Sequence, residues 1–165
     1  GMSETSGGCV YNAEPLDGVA FELTENGQIK ISGPVLAEVK KENGWFVTQD
    51  LGKIVDGKLQ VIGRVDDVII SGGENVWPED VEAAIRTSSF VADVCVAGIS
   101  DPEWGQVVTA WIVPTGDVPT LEDIRSHVKH TLPSHCAPRR IEIITEIPRT
   151  SLGKPRRADL VQSLG

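Results

Sequence analysis

Apolar and polar positions alternate in short stretches over the first third of the sequence, which is the pattern of strands that bury one face. Residues 19–23 and 28–32 form one such pair, with a Glu-Asn-Gly turn between them. Residues 54–55 and 59–62 form a second pair, joined by Asp-Gly, a favoured two-residue hairpin connection. The pattern predicts a β-rich unit in this part of the chain.

After Arg64 the pattern changes to an alternation of strands and helices. Residues 77–88 predict a helix, because Pro78 suits its first turn and acidic residues follow near the positive end of the helix dipole. Apolar residues at spacings of three and four predict its buried face, at Val81, Ala84 and Ile85. Continuous apolar stretches predict strands at residues 91–99, 107–113 and 140–144.

A second helix is predicted from Thr120 onwards, because threonine suits an N-cap and an apolar stripe follows it at helical spacing. The stripe consists of Leu121, Ile124, Val128 and Leu132. A short terminal helix is predicted at residues 158–164. The predicted fold class is therefore α+β, with a β-rich unit over residues 1–63, a junction at 64–67 and a mixed α/β unit over 68–165.

The composition is that of an ordinary folded protein, with 40% hydrophobic and 24% charged residues among 165. The net charge of −9 argues against a general binder of nucleic acid or acidic membranes, although a local cluster of Lys and Arg can still bind a small anion. Three cysteines without paired spacing predict reduced thiols and a cytoplasmic location. No apolar stretch has the length of a membrane span, and no signal peptide is recognised. The histidines are predicted to be surface residues rather than metal ligands, at His127, His130 and His135.

The stretch EIPRTSLGKPRR places a single lysine, Lys154, directly after a glycine. Glycine allows the backbone to approach a ligand closely, and a lysine beyond it is a flexible positive charge suited to a phosphate or carboxylate oxygen. The alternative is a solvated surface lysine, which is the usual environment of lysine.

Two further stretches carry oxygen atoms suited to a nucleotide. In GMSET the hydroxyls of Ser3 and Thr5 flank the carboxylate of Glu4, which could hold Mg²⁺ beside phosphate oxygens. A helix cap or a turn is the alternative for this stretch. Asp50 is predicted to follow a strand, where its carboxylate could accept two hydrogen bonds from a ribose diol, and a turn aspartate is the alternative.

The stretch GRVDDVIISGGENVWPEDVE begins at the predicted junction between the units. Arg64 and Asp66 lie at the junction, and Gly72 and Gly73 follow a short apolar strand. The alternative is a linker with a local salt bridge and a solvated glycine turn.

In their order and spacing these stretches resemble the adenylate-forming superfamily of acyl- and aryl-CoA synthetases, luciferases and peptide-synthetase adenylation domains. GMSET is similar to the family's Gly-x-Thr/Ser-Glu motif, FVTQDLG to its Thr-Gly-Asp motif and GRVDDVIISGGENVWPEDVE to its hinge motif. PRTSLGKPRR is similar to its terminal Pro-x-Thr-x-x-Gly-Lys motif. GQIKISG and DPEWGQVVTAWIV resemble two further family stretches, so that the matches span nearly the whole chain.

The resemblance implies a reaction in two steps. A carboxylic acid attacks the α-phosphate of ATP to give an acyl-adenylate and pyrophosphate, and the sulfur of coenzyme A then attacks the acyl carbon to give a thioester and AMP. The implied architecture is the β-rich final subdomain of a large N-terminal domain, a hinge, and a small mixed α/β C-terminal domain that turns about the hinge between the steps.

The resemblance also implies roles for residues that bind the nucleotide. Ser3 and Thr5 would bind the nucleotide phosphates, and Glu4 would bind Mg²⁺. Asp50 would hold the ribose hydroxyls, with Arg64 nearby on the nucleotide.

The remaining implied roles belong to the moving domain. Asp66 matches the hinge aspartate, and Gly72 and Gly73 would line the tunnel for the pantetheine arm of coenzyme A. Lys154, on a mobile glycine loop, would bridge the substrate carboxylate and the α-phosphate as negative charge builds up. The sequence departs from the family pattern at Gln49, where a glycine is usual before the ribose aspartate.

The short link between the Glu4 motif and the following PLDGV segment resembles the o-succinylbenzoate–CoA ligases of menaquinone biosynthesis, particularly the actinobacterial type. Another acyl- or aryl-CoA synthetase is the alternative within the class. The family's phosphate loop and most of its acyl pocket precede the Glu4 motif and are missing from this sequence. A second hypothesis is therefore a non-catalytic piece that works beside a separately supplied N-terminal domain, with an exposed apolar face prone to self-association.

Overall fold

The fold is given by a computed structural model that describes residues 10–11, 14–36 and 41–164. The chain divides into two units, Gly1–Asp66 and Asp67–Gly165. The strands are β1 (Val10–Tyr11), β2 (Glu14–Pro15), β3 (Ala20–Leu23), β4 (Gln28–Ser32), β5 (Phe46–Val55), β6 (Lys58–Arg64), β7 (Ile69–Ser71), β8 (Glu74–Val76), β9 (Val91–Asp101), β10 (Gly105–Pro114) and β11 (Arg140–Ile143). The α-helices are α1 (Pro78–Arg86), α2 (Leu121–Lys129) and α3 (Arg157–Gln162), and short 3-10 turns lie at Val65–Asp67 and Ser134–Cys136.

The first unit is built on an antiparallel sheet in the order β3-β4-β5-β6. The alternation of β4 places Ile29 and Ile31 in its core, where they pack with Val19, Leu36 and Leu59. The strands predicted at residues 19–23 and 28–32 are confirmed as β3 and β4 within one residue at each end. The predicted Asp-Gly hairpin is confirmed as the connection between β5 and β6.

The second unit is built on a mixed sheet with β10 at its centre. Strand β9 lies antiparallel along one edge of β10 over its whole length. The other edge pairs with β11 in parallel at one end and with β7 at Gly105, and β7 continues into β8. The three apolar stretches of the sequence analysis are confirmed as the strands β9, β10 and β11.

Both faces of this sheet are covered, which explains why β9 and β10 carry apolar residues at consecutive positions, at residues 94–97 and 110–113. On one face Val94 and Val96 pack with helices α1 and α2, and all of these contacts belong to one core. On the other face Cys95 and Trp111 pack with Leu160 of α3 in a smaller core. Successive residues of β9 therefore enter different cores, because neighbouring side chains of a strand point to opposite faces.

The termini of the helices follow the local sequence. Pro78 is in the first turn of α1, as predicted, and the predicted buried face at Val81, Ala84 and Ile85 is confirmed. The Thr120 hydroxyl accepts a hydrogen bond from the amide of Asp123 at 3.2 Å, and the Asp123 carboxylate accepts one from the amide of Thr120 at 2.8 Å. These reciprocal bonds confirm the N-cap of α2. The pKa of Asp123 is lowered because its carboxylate accepts hydrogen bonds from the Thr120 hydroxyl at 2.6 Å and from the Thr120 amide.

Three sequence predictions are corrected by the structure. Asp50 does not follow a strand but lies inside β5, because β5 pairs with β4 before this residue and with β6 from this residue onwards. The apolar stripe of α2 is narrower than predicted, since Ile124 and Val128 are fully buried whereas Leu121 and Leu132 are partly exposed. Strand β8 was missed, because its three residues have no apolar period of their own and are ordered by pairing with β7. No helix among residues 10–11, 14–36 and 41–164 has the length and apolarity that crossing a membrane requires.

Candidate functional site

The predicted site residues are distributed over both units. Asp50, Arg64 and Asp66 belong to the first unit, and Gly72, Gly73 and Lys154 belong to the second. The predicted phosphate and Mg²⁺ residues, Ser3, Glu4 and Thr5, lie outside the described residues. Among the residues that are described, no group of three or more His, Cys, Asp and Glu side chains is arranged to hold a metal ion.

Arg64 brings the predicted ribose and hinge residues together. Asp50 on β5 lies opposite Arg64 on β6 in the antiparallel register, and Nη1 of Arg64 is 3.5 Å from Oδ1 of Asp50. Nη2 of Arg64 is 2.9 Å from Oδ2 of Asp66. The buried hydroxyl of Thr48 accepts a hydrogen bond from the amide of Asp50 at 3.0 Å and so fixes the backbone there. The group presents carboxylate oxygens that can accept from a diol beside N–H groups that can donate to it.

Gly72 and Gly73 form the two-residue turn between β7 and β8. Their φ angles are +60° and +84°, a conformation in which glycine avoids the strain that other residues meet. The amide of Gly72 donates to the carbonyl of Trp104 at 2.9 Å, and a Cβ placed on Gly72 would lie 2.8 Å from Cε3 of Trp104. A Cβ on Gly73 would meet nothing within 4 Å. The turn is therefore packed against Trp104 on one side and open on the other.

Trp104 and Arg139 form a stacked pair that the sequence analysis did not identify. The guanidinium carbon of Arg139 lies 3.4 Å from the centre of the Trp104 ring. The carboxylate of Asp101 accepts hydrogen bonds from the amides of Glu103 and Trp104 at 2.9 Å, which fixes the turn that carries the tryptophan. The available signal was the DPEWGQ stretch, in which a turn follows a strand. Arg139 thus covers one face of the Trp104 ring with a positive charge, beside the Gly72 turn.

Lys154 ends a small loop that is closed by its own hydrogen bonds. The amide of Thr150 donates to the carbonyl of Lys154 at 2.8 Å, and the amide of Gly153 donates to the carbonyl of Thr150 at 2.9 Å. The hydroxyl of Thr150 also accepts from the amide of Lys154 at 3.2 Å. Lys154 is exposed, and no hydrogen bond or ion pair joins its ammonium to the part of the chain that the structure describes. The loop thus has a fixed shape and presents a free cation, rather than being an open glycine loop.

Arg149 connects this loop to the central sheet. Its Nη2 lies 2.6 Å from Oδ2 of Asp93 on β9, and its Nη1 donates to the carbonyl of Gly153 at 2.9 Å. Arg149 and Asp93 are 56 residues apart in the sequence, and no local pattern connects them.

A second arginine, Arg157, follows Lys154 and enters a mostly buried cluster. The carboxylate of Glu82, which is 4% exposed, accepts from Arg157 at 2.9 Å and from the amide of Val96 at 2.9 Å. Arg157 also donates to Glu79 at 3.2 Å and lies 3.9 Å from Asp67. Burial raises the pKa of Glu79 against the attraction of Arg157. Burial alone would lower the pKa of Arg157, but the carboxylates of Glu82 and Glu79 outweigh it and raise that pKa.

Among the described residues, two cysteines and one histidine are held by burial or by a hydrogen bond. Cys95 and Cys136 are free and buried, and burial raises the pKa of Cys95 to about 12 and that of Cys136 in the same direction. Neither thiol is therefore a nucleophile near neutral pH. His127 is partly buried rather than fully on the surface, and its Nε2 lies 2.7 Å from the hydroxyl of Thr87. His130 and His135 are exposed, as predicted.

Comparison with known families gives one match within the second unit. Residues 80–154 match the AMP-binding enzyme C-terminal domain. The matched segment includes Trp104, Arg139 and Arg149, and it ends at Lys154.

Comparison with individual proteins extends the similarity over nearly the whole chain. The chain is 45% identical to a probable 2-succinylbenzoate–CoA ligase of Mycobacterium tuberculosis over 98% of its length and 46% of that relative. It is 37% identical to a medium/long-chain-fatty-acid–CoA ligase of the same species over 79% of its length and 26% of that relative. The o-succinylbenzoate CoA synthetase of Bacillus subtilis, solved with an acyl-adenylate intermediate, superposes with a TM-score of 0.88 at 27% identity, over 97% of this chain and 40% of that structure. The chain spans less than half the length of each of these proteins.

Proposed function

Because the chain belongs to the AMP-binding enzymes through the C-terminal domain at residues 80–154, we propose that it acts as the C-terminal part of an ATP-dependent carboxylate–CoA ligase. The observation that carries the proposal is Lys154, an exposed lysine at the end of a closed loop and of the matched segment, whose ammonium has no partner among the described residues. A cation that is free in the resting protein can approach an anionic substrate without first breaking an ion pair. The proposed reaction forms an acyl-adenylate from ATP and then a thioester with coenzyme A.

In the first step Lys154 would contact the substrate carboxylate and the α-phosphate, where negative charge increases in the transition state. Asp50 would accept hydrogen bonds from the ribose hydroxyls, and Arg64 would donate to the nucleotide from its place between Asp50 and Asp66. The proposal for Ser3, Thr5 and Glu4 rests on the sequence motif, in which hydroxyls face the phosphates and a carboxylate suits Mg²⁺.

In the second step the junction at residues 64–67 would act as a hinge, with Asp66 as its pivot. Gly72 and Gly73 would then line the path of the pantetheine arm. Support for the glycines comes from their tight turn, whose outer side at Gly73 has no atom within 4 Å of a would-be Cβ. Since ATP and coenzyme A are cytoplasmic substrates, the proposal places the protein in the cytoplasm.

We propose o-succinylbenzoate as the carboxylic acid, and menaquinone biosynthesis as the pathway. Support comes from the relative at 45% identity, named as a probable 2-succinylbenzoate–CoA ligase, and from the B. subtilis synthetase structure. Another acyl- or aryl-CoA synthetase is the second candidate, because a fatty-acid–CoA ligase is 37% identical. ATP–pyrophosphate exchange with o-succinylbenzoate and with fatty acids of several chain lengths distinguishes them.

The role of Lys154 is tested by Lys154→Ala in the chain extended upstream in its own reading frame. We expect ATP–pyrophosphate exchange to fall by about a hundredfold to a thousandfold, because an oriented donor to the transition-state charge is lost. Thioester formation from supplied acyl-adenylate should be retained. Lys129→Ala, which removes another exposed lysine of the same unit, is the control. Equal loss of both half-reactions in Lys154→Ala would contradict the assignment.

A non-catalytic piece that works beside a separately supplied N-terminal domain is the alternative from another class. Ile54 and Val61 of the β5–β6 hairpin are 54% and 64% exposed, which could support self-association or docking on a separate large domain. Pyrophosphate exchange and sedimentation of the 165-residue chain alone test this alternative. Exchange activity in the chain alone would exclude it, and monomeric sedimentation at high concentration would exclude self-association.

A further inference from the structure

We propose that Arg149 is a positioning residue that holds Lys154 in place for the adenylation step. The inference deepens the proposed function and rests on it, since it assigns how the reactive lysine is aimed. Arg149 does not itself contact substrate in this proposal. It acts through the carbonyl of Gly153, the residue before Lys154, and through Asp93 on the central sheet.

One guanidinium makes both contacts. Nη2 of Arg149 pairs with Asp93 at 2.6 Å, while Nη1 donates to the Gly153 carbonyl at 2.9 Å. The planar guanidinium holds its donors in a rigid fork, so fixing one contact also fixes the direction of the other. The sheet position of Asp93 is therefore transmitted to the peptide that precedes Lys154.

The stem of the loop is anchored, because Ile147 is buried in the small core and the amide of Arg156 donates to the carbonyl of Pro148 at 2.8 Å, but its tip makes few contacts. Leu152 is 86% exposed, and a Cβ on Gly153 would find no atom within 4 Å. The bonds among Thr150, Gly153 and Lys154 fix the shape of the loop but not its direction relative to β9. Apolar packing is absent from the tip, Leu152 and Gly153. Beyond the anchored stem, the ion pair of Arg149 with Asp93 joins the peptide before Lys154 to β9.

The pair between Arg149 and Asp93 is too exposed to be explained by stability. The side chains are 38% and 30% exposed, and pairs of this kind contribute roughly 0–1 kcal/mol to folding. The pair contributes little to folding stability but fixes the residue before a reactive lysine. Its role is therefore better explained as orienting that lysine. Misplacing a reacting group by 1 Å can lower a rate by about a hundredfold.

The test uses Arg149→Met in the upstream-extended chain. We expect the kcat of adenylation to fall about tenfold to a hundredfold, because Lys154 no longer keeps its direction. The KM for ATP should stay within about threefold of the unsubstituted protein's value, because Arg149 makes no contact with the bound nucleotide in this proposal. Thioester formation from supplied acyl-adenylate should be unchanged. Normal adenylation kinetics in Arg149→Met would overturn the inference.

The decisive comparison adds Arg149→Met to Lys154→Ala. If Arg149 acts through Lys154, the double variant should be no slower than Lys154→Ala alone. A further loss of tenfold or more would show that Arg149 acts on the fold or on substrate directly, and would overturn the inference. Normal adenylation by Lys154→Ala alone would instead overturn the proposed function, and this inference with it.

A matched control is available in Arg125, which also holds a backbone carbonyl and lies near a carboxylate. It donates to the carbonyl of Pro138 at 2.7 Å and lies 3.8 Å from the carboxylate of Glu122. Arg125→Met should leave adenylation unchanged, and an equal loss would make the effect of Arg149→Met non-specific and overturn the inference. Asp93→Asn weakens the same ion pair without removing the arginine, and it should reproduce part of the loss of adenylation. This second variant keeps the test valid if Arg149→Met fails to fold.

Discussion

At Gly72 the absence of a side chain allows both a positive φ angle and the close approach of the Trp104 ring. Its φ of +60° and that of Gly73, +84°, both disfavour other residues. The two positions differ in their surroundings, because a Cβ at Gly72 would lie 2.8 Å from the Trp104 ring while one at Gly73 would lie in open space. A side chain at Gly73 would therefore cause backbone strain alone, whereas a side chain at Gly72 would cause backbone strain and a clash with the Trp104 ring.

We predict that Gly73→Ala lowers the free energy of unfolding by about 1–2 kcal/mol, the strain of a left-handed residue. Gly72→Ala should lower it by roughly a further 1–3 kcal/mol, because the Trp104 ring is held by Arg139 and cannot move away freely. Urea unfolding of the two variants measures the difference. Equal losses would show that the ring moves aside, and that the close approach at Gly72 is not required.

At the scale of elements, a mostly buried charge cluster joins three parts of the second unit. Glu82 of α1 receives hydrogen bonds from the amide of Val96 in β9 and from Arg157 at the start of α3. Helix α3 has six residues, which is too short for a stable helix in isolation. Its position therefore depends on Leu160 in the small core and on Arg157 in the cluster.

We predict that Arg157→Met lowers the free energy of unfolding by about 1–3 kcal/mol, because the buried carboxylate of Glu82 loses its nearer cation at 2.9 Å and keeps only Arg86 at 3.4 Å. Arg156→Met is the matched control, since Arg156 pairs with Asp159 in an exposed position and its loss should amount to less than about 1 kcal/mol. Denaturant unfolding compares the two. Similar small losses would indicate that Arg86 alone is a sufficient partner for the Glu82 carboxylate.

At the scale of the whole molecule, the division into Gly1–Asp66 and Asp67–Gly165 falls within the short 3-10 turn at Val65–Asp67. Asp66 is the last residue of the first unit and pairs with Arg64, whereas Asp67 lies near Arg157 of the second unit. Adjacent residues thus have their partners in different units. This arrangement suits the proposed hinge, because a rotation about Asp66 would break neither ion pair within its own unit.

We predict that Asp66→Pro in the upstream-extended chain lowers thioester formation much more than adenylation. Proline fixes φ and so restricts the rotation that the second step is proposed to need. Asp66→Ala is the control, since it also removes the pair with Arg64 but leaves the backbone free. The two half-reactions are measured separately. Normal turnover in Asp66→Pro, or equal loss in Asp66→Ala, would contradict the pivot at this residue.

The local elements were predictable because their causes lie within a few residues. The alternation of β4, the Asp-Gly connection of β5 and β6, and the capping box of α2 each depend on neighbours along the chain. The candidate residues Asp50, Arg64, Asp66, Gly72, Gly73 and Lys154 came instead from short motifs that resemble those of the adenylate-forming superfamily. Periodicity and motif spacing therefore determined the element types and the residues to examine.

The tertiary structure decided how those residues are held. Arg157 and Glu82 are 75 residues apart, Arg149 and Asp93 are 56 apart, and both pairs form because α1, β9 and the chain after β11 meet around one sheet. An ion pair between distant positions depends on strand order and register, and the local sequence around either residue does not specify these. The sequence by itself determined that Lys154 follows a glycine in a motif of the family, whereas its free ammonium and the surroundings that can aim it exist only in the folded unit.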